Sequence, residues 1–87
     1  MVDDKITELL SSLERINLGS ERIMIDLVAD FVRIIKSRID NSGWDSTKKF
    51  CLDESRRISG ISILSSRLRH LYSQAYAKMR KIDLEAK

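Results

Sequence analysis

The chain has 87 residues, 33% of them charged and 43% hydrophobic, with a net charge of +3 at pH 7. That size allows one domain with a modest core, burying roughly 60–65% of its unfolded surface, and the composition is that of a globular protein, not a disordered one. No apolar run approaches the ~20 residues that span a bilayer, and the single cysteine, Cys51, excludes an internal disulfide and a zinc knuckle.

The charge is unevenly placed. Residues 1–45 carry six Lys/Arg and nine Asp/Glu, whereas residues 46–87 carry ten and four. A bipolar chain of this kind suits docking between subunits of complementary charge, a basic half that meets phosphate, or solvated helix faces of opposite sign. The acidic start Met1-Val2-Asp3-Asp4 lacks the basic and apolar regions of a signal peptide, so a cytoplasmic location is expected.

Asp3 and Asp4 suit the positive end of a helix dipole. Ile6, Leu9, Leu10, Leu13 and Ile16 then trace one helical face, which ends near Asn17-Leu18-Gly19-Ser20, a stretch able to stop one helix and cap the next. A second helix is read over about 21–40. Its apolar residues, from Ile23 through Ile39, cover most of the circumference and leave Arg22, Asp26, Asp30, Arg33 and Ser37 as the polar strip. An arc that wide exceeds what one neighbouring helix covers, so this helix is expected to be central or to meet another chain.

Asp40 to Thr47 consists of turn formers around Gly43 and Trp44 and reads as a loop. Trp44 either folds back to close the end of the bundle or stands out as a partner anchor. The third helix is read from about Lys48 to Ile82, with a kink or break at Ser59-Gly60. Its seam is Ile61, Leu64, Leu68, Leu71, Ala75, Met79 and Ile82, with Tyr72 just outside the arc and a basic back. The tail from Asp83 to Lys87 is expected to fray. The expected fold is therefore all-α: one domain over 1–87, an antiparallel bundle of three helices (short, long and longer), completed by oligomerisation.

Catalytic chemistry is hard to place. Cys51 and His70 occur once each, and His70 falls on the polar back of its helix, so a Cys/His pair has little support. No metal-ligand spacing and no Gly-rich phosphate loop occur, so no cofactor or metal is expected and the chain is read as a non-enzyme. Arg56, Arg57, Arg67, Arg69, Lys78, Arg80 and Lys81 are candidates for contact with nucleic-acid phosphates. A helix-turn-helix is not supported, because the helices flanking the first turn have no basic recognition face.

Three stretches carry a family resemblance. Ile6 to Leu10 is similar to the short opening helix of the helical domain of archaeal GINS subunits, and Leu27 to Lys36 resembles the aromatic-then-apolar helix of that family. Tyr76 to Ala86 resembles its basic and apolar close. The sequence departs from the pattern at Asp30-Phe31-Val32, which lacks a second aromatic, and it has no counterpart of the family's small β domain. The resemblance implies a non-catalytic scaffold of the DNA replication machinery, packed into a tetramer and bridging the MCM helicase to a RecJ-like protein and to primase or polymerase. Met24, Phe31 and Ile35 are then the expected interface anchors, with Trp44 as a further candidate. The alternative is a small dimeric bundle that binds DNA or RNA through its 46–87 half.

Overall fold

The computed structural model describes residues 2–86; Lys87 and the side chains of Val2 and Asp3 lie outside the described residues. Four helices follow one another: α1 (Val2–Glu14), α2 (Arg22–Ser42), α3 (Trp44–Arg57) and α4 (Ile63–Glu85), with no strand among the described residues. The all-α expectation holds, but the count is four, because the expected long third helix is two helices with a real break between them.

Each break has a local cause. Past α1 the chain tightens, with the N–H of Ile16 reaching back to the Leu13 carbonyl at 3.1 Å. Asn17 Oδ1 then accepts from the Gly19 N–H at 2.8 Å, an Asx turn that reverses the chain into α2. Between α2 and α3 the expected eight-residue loop shrinks to Gly43. At φ +90° and ψ 169° this glycine occupies a region closed to other residues, and its N–H caps α2 on the Ile39 carbonyl. Between α3 and α4 the chain leaves the helix at Ile58, and the Ser62 hydroxyl accepts from the Ser65 N–H at 3.1 Å to start α4. Ile61, placed by spacing in the helical seam, is therefore outside the helix and 92% exposed. Of the tail expected to fray, Asp83 to Glu85 continue α4, and Lys87 lies outside the described residues.

The connectivity is up-down-up-down. Each helix packs on its chain neighbours, α1 also packs on α4, and the α2–α4 diagonal is the closer of the two. Side chains near the start of α1 (Lys5), the start of α3 (Trp44, Lys48) and the end of α4 (Asp83) meet at one end. At the other end lie the α1–α2 and α3–α4 connections.

One core draws on all four helices: Leu9 and Leu13 from α1, Val28, Phe31, Val32, Ile35 and Ile39 from α2, Cys51 from α3, and Leu71, Tyr72, Ala75, Met79 and Ile82 from α4. Tyr72, just off the predicted seam, stands at its centre. Phe31 and Phe50 pack on it nearly perpendicular, at centroid distances of 4.9 and 5.6 Å, a favoured edge-to-face arrangement.

Candidate interaction surfaces

The structure spends most of the wide apolar arc of α2 inside the chain. Phe31 is 1% exposed and Ile35 is fully buried, and Met24 is buried too, in the wall of a groove near the start of α2. The expected partner anchors are thus core residues. The reason is the extra helix: α1, α3 and α4 all pack on α2, so its apolar face has three neighbours in the same chain. What remains outward on α2 is Ile23, Ile25 and Ile34, each about half exposed.

Trp44 takes the first of its two expected roles. Half-buried at the start of α3, it donates its indole N–H to Asp83 Oδ1 at 2.8 Å, and the Lys5 ammonium lies 4.5 Å from its ring centroid. Asp83 also accepts from Lys5 at 2.8 Å and from Lys48 on its other oxygen. Burial would raise the Asp83 pKa, but the hydrogen bonds from Lys48, Lys5 and Trp44 and the charge of Lys48 outweigh it and hold the group at about 2. Lys48 is raised in turn, chiefly by the hydrogen bond to Asp83.

The seven basic candidates do not form one surface. Arg56, Arg57, Arg67 and Arg69 flank the α3–α4 break, and Arg57 is already paired with Glu54 at 2.6 Å. Lys78 and Lys81 instead border a shallow groove shared with Glu8, Ser12 and Glu85, towards the opposite end, and the Arg80 guanidinium lies over the Tyr76 ring.

Two grooves open on either side of the α1–α2 linker, and both are lined by Asn17 and Leu18. The first, about 380 Å³, is apolar: Met24, Val28 and Val32 of α2 form one side, with Ile16 and Leu18 across from them and Ile25 at the edge. The second, about 570 Å³, is polar and contains Arg67, Arg69 and His70. The connection topology also gathers exposed apolar residues at this end of the bundle: Ile23 and Ile25 open α2, Ile61 precedes α4, and Ile63 and Leu64 open it, with exposures between 41% and 92%. Helical spacing places Ile61 and Leu64 in the seam and so hides their exposure here. The signal was Ser62, a capping residue directly before an apolar run.

Cys51 is buried, and its thiol is pushed up to about 12 by that burial, with nearby Arg38 pulling the other way. It stays protonated and is a poor nucleophile. Among the described residues, no three His, Cys, Asp or Glu side chains gather in a metal-holding arrangement, and no helix is long and apolar enough to cross a membrane. The chain matches no protein-family model, no curated protein and no solved structure.

Proposed function

We propose that this chain is a non-enzymatic assembly subunit that joins a second copy of itself through the connection end of its bundle. The observation that carries the reading is the exposure of Ile23, Ile25, Ile61, Ile63 and Leu64 at one end of a chain whose core is otherwise closed. Scattered exposed isoleucines are ordinary, whereas several gathered at one end mark a contact surface. Charge permits a second copy as the occupant: the α1–α2 side of this end exposes Glu14 and Glu21 together with Arg15 and Arg22 and is close to neutral, so it does not repel the Arg56 side of a twofold-related protomer.

The narrower reading, a GINS-like component of the replication machinery with helicase, RecJ-like, primase or polymerase partners, rests on the resemblance of the quoted stretches alone. Binding of DNA or RNA along the whole 46–87 half has less support, because its basic residues divide between the two ends of the bundle.

Sedimentation equilibrium tests the reading. The expected result is a wild-type dimer and an Ile61→Asp/Ile63→Asp variant that is monomeric with an unchanged helical spectrum. Both sites are exposed, so the fold tolerates the change. A wild-type monomer at about 0.1 mM, where even about 5.5 kcal/mol of association would show, overturns it.

A further inference from the structure

We propose that the polar groove beside the α1–α2 linker is a binding site for a phosphate monoester. Its origin is a mismatch of lengths. α1 has 13 residues and α4 has 23, so α1, which starts beside the end of α4, stops short of the first half of α4. Along that half, Ser66, Arg69, His70 and Ser73 recur at steps of three and four and share one face. The linker residue Asn17 closes the groove on the other side.

The lining is rich in donors and carries no carboxylate. Two arginines, a histidine and three serines line about 570 Å³ of open space. Asn17 Oδ1 is already engaged by the Gly19 N–H, which leaves its NH₂ as the donor still available. Three arginines elsewhere are engaged by acids on their own helices, Arg22 by Asp26, Arg33 by Asp30 and Arg57 by Glu54. Among the described residues neither Arg67 nor Arg69 has such a partner, although both line the groove. Gly60 leaves room for this arrangement, since a Cβ there would sit 3.2 Å from Arg69 Nη2.

Two planar forks in one concave site match the oxygens of a phosphate dianion, and charge-assisted hydrogen bonds of this kind are about twice as strong as neutral ones. The groove is larger than a bare phosphate needs, which leaves room for an organic group on the ligand. No Phe, Tyr or Trp lines the groove as a platform for stacked bases. The recognised element is therefore the terminal monoester and not the diester backbone of a strand.

His70 is the only histidine, so its ring C–H resonance reports on this groove alone. The full chain is titrated at fixed pH and low salt with inorganic phosphate, ribose 5-phosphate and dimethyl phosphate, against sodium chloride at matched ionic strength. The expected result is a saturable His70 shift with the first two and at least about tenfold weaker binding of the diester, which lacks the second charge. Arg67→Gln weakens monoester binding about tenfold, Arg69→Gln does the same, and Lys78→Gln/Lys81→Gln at the other end changes nothing. Arg67 is exposed and unpaired among the described residues, so its variant remains decisive if Arg69→Gln disturbs the turn at Gly60. A shift that only follows ionic strength overturns the proposal. So does equal binding of the diester, or binding indifferent to Arg67.

Discussion

The Trp44 indole N–H donates to the Asp83 carboxylate at 2.8 Å and ties the first residue of α3 to the last turn of α4. The same carboxylate holds Lys5 and Lys48, so one acidic side chain joins three helices at the end of the bundle away from the exposed isoleucines.

Asp83 makes the fold sensitive to acid. Its pKa is about 2 in the folded chain, against an ordinary value of 3.8. A depressed carboxylate contributes stability that is fully present above the unfolded pKa and is lost as pH falls through the folded one. The contribution is about 2 kcal/mol, and it disappears between about pH 4 and pH 2. Urea unfolding across that range is expected to show the loss. In Asp83→Asn the loss attributable to this group is already present at pH 7, and the remaining acid dependence is flatter.

Replacing Phe31 tests whether the α2 arc is core. At 1% exposure, with Tyr72 packed perpendicular to its ring, Phe31→Ala is expected to cost about 3–5 kcal/mol. The variant unfolds at lower urea, whatever the protein concentration. Ile61→Ala, at 92% exposure, is expected to change monomer stability by less than about 0.5 kcal/mol. If Phe31→Ala left monomer stability intact and only dissociated an assembly, the packing described for α2 would be wrong.

These two positions show what the sequence discloses. Periodicity reads burial well inside a helix: Leu71, Ala75, Met79 and Ile82 are buried as the seam requires, as are Leu9 and Leu13. It fails at helix ends, because a pattern continues numerically across a break that the backbone does not cross. Ile61 kept the spacing of the seam and yet lies in the connection. The turn formers of 40–47 were weak propensities overruled by packing, and only Gly43 was needed for the reversal. Asp83 could not be read at all, since Lys48 and Lys5 lie 35 and 78 residues away in sequence. The groove at Arg67 and Arg69 was visible only as basic residues. What makes it a site is the short α1, and no local pattern shows that one helix ends beside the middle of another.

Gly43 carries the whole α2–α3 reversal, and nothing lies within 4 Å of a Cβ built there. Any cost of Gly43→Ala is therefore backbone strain and not a clash. At φ +90° and ψ 169° that strain is expected to be about 1–3 kcal/mol. Urea unfolding should show it as a lower midpoint with an unchanged slope. Gly60→Ala provides the contrast. Its φ lies outside the left-handed range, and its Cβ would meet only the movable guanidinium of Arg69, so a smaller effect is expected.

Thr47 tests an unsatisfied group in the core. It is fully buried in the first turn of α3, and among the described residues its hydroxyl has no hydrogen-bond partner. A buried polar atom without a partner costs about 1–3 kcal/mol relative to one that is satisfied. Valine has nearly the same shape and replaces the hydroxyl with a methyl group. The Thr47 N–H bond to the Gly43 carbonyl is a backbone contact and survives the substitution. Thr47→Val is therefore expected to raise the thermal midpoint by several degrees, since about 1 kcal/mol shifts a domain of this size by about 4–8 °C. Thr47→Ala removes the same hydroxyl but leaves a void, so it is expected to fall below the valine variant. A valine variant less stable than wild type would mean that the hydroxyl is satisfied in solution, with a buried water as its partner.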